Sequence, residues 1–186
     1  MKSVNIPGYQ QYFRTMAVQH KFLQHDPNSE TKDSDIGKKH FARWSADEVL
    51  TGLRTKLGWP ALLLELYEVI YSEQNKYDIK GNYHGAFSVL DKAKSTDYTS
   101  EIAAFAKAEQ IVMDILQKIW QDHYGPDADA CQTPFFSFDF NNLQIMPVGP
   151  LYDNNFGWRV EFKFVPQTVF DVTQPPAAGT FIFPAP

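Results

Sequence analysis

The residues that could carry chemistry are five histidines, one cysteine and a few neighbouring carboxylates. A helix that binds zinc sets two histidines four residues apart, so that both face the same side. His20 and His25 are five apart, and His40, His84 and His123 each stand alone. They read as surface or hydrogen-bonded histidines, and no metal is expected. Cys131 lies between Ala130 and Gln132 with no nucleophile motif around it, and reads as a plain free thiol. A single cysteine also precludes an internal disulfide framework and a thiolate zinc cage. No G-x-S-x-G elbow, S-x-x-K pair or glycine-rich phosphate loop is present.

The carboxylates are no more specific. Glu65 and Glu68 could serve as general acid and base only if a cleft brought substrate to them. Asp127 with Asp129, and Asp153 beside two asparagines, lack the alternating oxygen ligands and closing glutamate of a calcium loop. They read as turn chemistry and solvated charge. Arg159 and Lys163 share a strand face with Glu161 between them, the pattern of an ion-paired surface and not of a nucleic-acid groove. The formal net charge of −5 points the same way, because phosphate tracking draws on clustered Lys and Arg. No catalytic residues and no cofactor are therefore expected, and the chain reads as a non-enzyme. One enzymatic alternative is a site assembled from His84, Glu65 and Asp139, which requires these three side chains to converge.

With 44% hydrophobic residues the chain can bury a sizeable core. No apolar run approaches the roughly 20 residues of a membrane-spanning helix, and the start lacks a signal-peptide stretch, so a soluble intracellular protein is expected. Tyr9, Phe13, Met16, His20 and Leu23 recur at steps of four and three, predicting one apolar helical stripe over 9–23. The polar stretch at about 25–42 reads as a mobile surface loop. Ser45 with Glu48 has the spacing of a capping box, and Trp44 with Val49 that of a hydrophobic staple. They predict a helix with Val49, Leu50, Leu53 and Leu57 on one face, stopped by Gly58 and Pro60.

Residues 61–71 hold helix formers (Leu62, Leu63, Leu64, Leu66) and strand formers (Val69, Ile70, Tyr71). They read as one arm of a long hairpin with 83–90, joined through 72–82, with a helix as the alternative. The longest helix is predicted over 96–124, capped by Thr96 or Asp97, with Ala104, Phe105, Ala108, Ile111, Val112, Ile115, Leu116 and Ile119 on a wide apolar face. Phe136, Phe138 and Phe140, then Phe156, Trp158, Val160, Phe162 and Phe164, alternate with polar or small residues and predict an antiparallel hairpin. After Val165 the prolines at 166, 175, 176, 184 and 186 deny regular structure to a stretch that still carries Phe170, Phe181, Ile182 and Phe183.

The expected fold class is α+β. A mostly antiparallel sheet of about four strands, in two hairpins, is packed on one face by two to three helices. Residues 1–165 make a single domain and 166–186 an extended Pro-rich arm. This element order resembles the tail-terminator and tail-completion proteins of long-tailed phages. Three stretches are also similar to uncharacterised structural proteins of phage-like and prophage gene clusters. These are Glu48-Val49-Leu50-Thr51-Gly52-Leu53-Arg54-Thr55-Lys56-Leu57 with Pro60-Ala61-Leu62-Leu63-Leu64-Glu65, Gly85-Ala86-Phe87-Ser88-Val89-Leu90-Asp91, and Asp153-Asn154-Asn155-Phe156-Gly157-Trp158-Arg159-Val160-Glu161-Phe162. The arm and the 25–40 loop depart from both patterns. The resemblance implies a non-enzymatic tail protein acting by self-assembly, with itself or other tail and connector proteins as partners. It implies no membrane and no sequence-specific nucleic acid among them. The place implied is a bacterial cytoplasm or an assembled virion or tail-like particle. Phe170, Phe181, Ile182 and Phe183 are the expected interaction residues. The rival reading is an adaptor, chaperone or immunity protein that holds one partner in an exposed groove or on a sheet edge.

Overall fold

The computed structural model describes residues 6–30, 39–44, 57–75, 78–94, 97–125, 135–151 and 154–166. The elements run α1 (Ile6–Gln19), a 3-10 turn (Pro27–Glu30), β1 (Lys39–Trp44), β2 (Leu57–Glu65), β3 (Glu68–Asn75), β4 (Asp78–Lys92), α2 (Tyr98–Tyr124), β5 (Phe135–Leu151) and β6 (Asn155–Pro166). One six-stranded sheet has the order β1-β2-β4-β6-β5, with β3 also on β4. β1 and β2 are parallel and every other pair is antiparallel. The α+β class stands, and the strand count rises from about four to six with two helices among the described residues.

The long hairpin forms as a strand pair, so the helix alternative for 61–71 is set aside. β2 and β3 are successive stretches along one partner, with Leu64 opposite Phe87 and Glu68 opposite His84. Four steps on one side against three on the other place one extra residue at Leu66-Tyr67, a bulge-like offset. The strands also run further than expected, to Asn75 and from Asp78. Leu62 and Leu64 pack under the helices, whereas Ala61 and Leu63 pack on the opposite face with Ala42, Leu57 and Leu90. Burial on both faces explains an unbroken apolar run with no period of two.

Two expectations near β1 are corrected. Part of the loop expected over 25–42 is ordered structure: His25 is buried, Lys39–Trp44 is a strand, and Phe41 and Ala42 are core. Leu57, Gly58 and Pro60 belong to β2 and not to a helix end. Between the pairs Lys39–Leu57 and Phe41–Leu62 the ladder is irregular, and Pro60 sits in that interruption, where its missing N–H costs no regular ladder bond. The carbonyl of Pro60 instead accepts from His40 Nδ1 at 2.7 Å. The rest of the helix expected after Ser45 lies outside the described residues, as does the arm from 167 onward.

Both helices cover one face of the sheet. α1 buries Tyr9, Phe13, Met16 and Ala17, and ends at Gln19, so the last part of its expected stripe continues beyond the helix, where Leu23 is still buried. α2 starts at an Asp97 cap whose carboxylate accepts the Thr99 N–H at 3.0 Å. It buries Ala104, Ala108, Ile111, Val112, Ile115, Leu116 and Ile119. Tyr12 Oη donates to Asp122 at 2.9 Å, and His20 meets Asp114 at 3.2 Å, so the helices run antiparallel side by side. Lys107 reaches Asp91 of β4 at 3.0 Å, and the Trp158 indole of β6 donates to the Phe105 carbonyl at 3.1 Å. No described helix is long and apolar enough to cross a membrane.

Beneath α1, Tyr9 stacks on Phe164 at 5.8 Å and meets Tyr67 edge-on at 5.2 Å, while Phe162 stacks on Phe138 at 5.0 Å. Gly85 makes room for this group, since a Cβ there would lie 2.7 Å from the Phe162 ring and from Tyr9 Oη. Burial pushes the Tyr9 phenol far above its ordinary value of 10.0, so it stays neutral throughout the working pH range. Gly157 permits an even closer approach, as its Cβ would lie 1.9 Å from the Val89 carbonyl oxygen. Gly157→Ala is therefore expected to cost about 3 kcal/mol, through forced separation of β4 from β6. Urea denaturation checks this, and an unchanged midpoint would contradict the strand register.

Candidate functional site

Beside the apolar cluster of Ala61, Leu63 and Leu90, the sheet face away from the helices carries the polar half of the alternation in β3, β4, β5 and β6. Cross-strand register lines up Glu68, His84, Lys163 and Asp139 in one row over β3, β4, β6 and β5. The next row holds Ala86, Glu161 and Gln144, and the one beyond it Leu63, Ser88, Arg159 and Met146. Between these rows lies a cavity of about 480 Å³, to which Glu65, Glu68, His84, Arg159, Glu161 and Lys163 contribute its charged and titratable groups.

Arg159 organises the cavity. Its Nε donates to Glu65 Oε1 at 2.7 Å and its Nη2 to Glu65 Oε2 at 2.9 Å, while Nη1 donates to Glu161 Oε1. The first two bonds form a bidentate fork, the strongest geometry open to this ion pair. The fork joins β2 to β6 over the intervening β4, whose Ala86 and Ser88 are small enough to leave the path clear. The Glu65 hydrogen bond holds the Arg159 guanidinium above its usual range, so the cation is permanent. Both Glu65 oxygens accept from that cation, so the carboxylate ties β2 to β6.

The three side chains of the enzymatic alternative are brought together only in part. Glu65 and His84 line the same cavity, whereas Asp139 is not among its lining residues. Asp139 instead accepts from the Asn142 side-chain amide and, at 3.0 Å, from the Asn141 N–H. These bonds, Asn142 first, hold its carboxyl below the ordinary 3.8. Glu68, the other half of the expected carboxylate pair, also lines the cavity.

The remaining histidines serve the fold. His25 Nδ1 accepts the His40 N–H at 3.2 Å, tying the segment after α1 to β1, and His20 faces Asp114. His123 packs edge-on to Tyr124 at 4.4 Å, and burial lowers its pKa from 6.5. Among the described residues no group of three or more His, Cys, Asp or Glu could hold a metal ion. Asp127, Asp129, Cys131, Asp153, Phe170, Phe181, Ile182 and Phe183 lie outside the described residues. The Glu65–Arg159 fork escaped sequence reasoning because its members are 94 residues apart. A lone glutamate closing the apolar run of β2 was its only local sign.

Two outcomes follow from this geometry. In a double-mutant cycle with Glu65→Gln and Arg159→Met, the half-buried fork is expected to show a coupling energy of about 1 kcal/mol in denaturation experiments. Strict additivity would contradict it. Asp139 has its folded pKa below the unfolded one, so its contribution to stability is complete above the unfolded value and is lost as pH falls through the folded value. Asn142→Ala is expected to raise the Asp139 pKa toward 3.8, read by carboxyl-carbon NMR titration, and no movement would contradict the assigned cause.

Comparison with protein families, curated proteins and solved structures returned no match for this chain.

Proposed function

We propose that this chain is a non-enzymatic structural subunit of a phage-like tail, of the tail-terminator or tail-completion kind, that acts by self-assembly. The observation carrying this reading is the sheet edge formed by β5. This strand is 17 residues long, pairs with β6 on one side, and has no strand on its outer side among the described residues. An edge of that length is a template for a neighbour's extended segment, while Pro147 and Pro150 blunt one end of it. Extended arms with aromatic anchors suit such an edge, and head-to-tail use of unlike surfaces closes subunits into rings. In this reading Phe170, Phe181, Ile182 and Phe183 engage the neighbouring subunit. The element order of helix, strand, long hairpin, long helix and long hairpin supports it, as does the self-neutralised fork in the cavity.

The cavity itself favours a second reading, a partner-binding adaptor that holds a polar segment between Glu68, His84 and Lys163.

Ending the chain at Val165 separates the two. Sedimentation of the full chain is expected to show concentration-dependent species larger than a dimer, and the shortened chain is expected to lose them while keeping its circular dichroism. Unchanged assembly after truncation would contradict the structural-subunit reading, and a new affinity for peptides would favour the adaptor.

A further inference from the structure

α2 carries a second apolar surface largely turned away from its own sheet, with the Tyr124 ring at one end meeting Phe140 of β5 at 6.1 Å. Tyr98, Ile102, Met113, Trp120 and Tyr124 are each more than half exposed, with Tyr98 at 74%. Exposed apolar residues are ordinarily scattered, but these are aligned. Eleven residues make three helical turns plus about 20°. Ile102, Met113 and Tyr124 are eleven apart, as are Tyr98, Glu109 and Trp120, so all six lie on one strip along a 27-residue helix. Glu109 is the single charge among them. Interface centres show this depletion of charge together with enrichment in Tyr, Trp and Met.

The strip is also symmetric in sequence. Tyr98 and Tyr124 stand 13 residues either side of Ile111, Ile102 and Trp120 stand nine either side, and Glu109 and Met113 stand two either side. Two copies laid antiparallel about that midpoint would set Tyr98 against Tyr124, Ile102 against Trp120 and Glu109 against Met113. Each Glu109 then meets a thioether and not its own copy. The two carboxylates stand about 6 Å apart along the axis, free to extend to the rim. The half-exposed side chains offer on the order of 500 Å² of apolar surface per copy, or about 1,000 Å² for the pair. That total is near the lower bound for a specific interface.

We infer that the outer strip of α2 is a twofold self-association surface, on which a second copy of this chain docks its own α2 antiparallel. This contact is independent of the tail reading, because it uses neither β5 nor the C-terminal arm.

The test uses the full chain carrying Cys131→Ser, with Glu109→Cys and Met113→Cys added. Mild oxidation is expected to give a covalent dimer of twice 21.3 kDa on a non-reducing gel. Lys118→Cys, on the side of α2 that faces α1, is expected to stay monomeric under the same conditions. Trp120→Glu in the otherwise native chain is expected to weaken dimerisation at least tenfold by sedimentation, with unchanged circular dichroism. Failure to cross-link, equal cross-linking at Lys118→Cys, or an unaltered dimer in Trp120→Glu would each overturn the inference. Loss of the cross-link when the chain ends at Val165 would also overturn it, by assigning the strip to the arm. Survival of the cross-link in a chain that forms nothing larger than dimers would leave it standing while the tail reading falls.

Discussion

The alternation of β4 is the constraint on which the structure depends. This strand pairs with β2 and β3 along one edge and with β6 along the other, so its pleat fixes the two faces of the sheet's centre. Gly85, Phe87 and Val89 turn toward the helices, and His84, Ala86, Ser88 and Leu90 turn away. A slip of one residue would put Phe87 into the polar cavity and His84 against the aromatic core. The small residues are as constraining as the large ones. Gly85 lets Tyr9 and Phe162 close over the strand, and Ala86 with Ser88 leaves the floor over which Arg159 reaches Glu65.

The two faces then have different physical roles. The helix-covered face holds an aromatic and aliphatic core, tied to α2 through the Asp91–Lys107 pair and the Trp158 indole. The opposite face carries the Arg159 ion pairs beside the smaller apolar cluster of Ala61, Leu63 and Leu90, and a partly buried fork of this kind adds geometric specificity more than raw stability. The surfaces proposed to meet another molecule are the outer edge of β5, the outer strip of α2 and, in the adaptor reading, the cavity. The edge of β5 would engage a neighbour through backbone hydrogen bonds, and the strip of α2 through apolar burial.

Legibility in the sequence followed burial. β6 was readable because its aromatics face the core while Arg159, Glu161 and Lys163 face water, and α2 because one wide face of it is buried. β2 was ambiguous because both its faces are covered, which erases the period of two. β1 was missed because six residues, only part of them apolar, sit in an otherwise polar stretch, and their parallel partner is supplied from outside the local pattern. Pro60 looked like a helix stop because its irregular place in the β1–β2 ladder is a tertiary fact. The fork of Arg159 with Glu65 had no local signature, since neither residue is informative until β4 brings β2 and β6 within reach of each other. Of the histidines, read as surface or hydrogen-bonded, His20, His25 and His40 make hydrogen bonds.

Residue-resolved amide hydrogen exchange in the native full chain tests the central position of β4 most directly. The expected result is slowest exchange along 87–90 and 157–161, which have partners on both sides, with faster exchange at the outward amides of β5. Exchange in β4 as fast as at the β5 edge would contradict a sheet built around this strand.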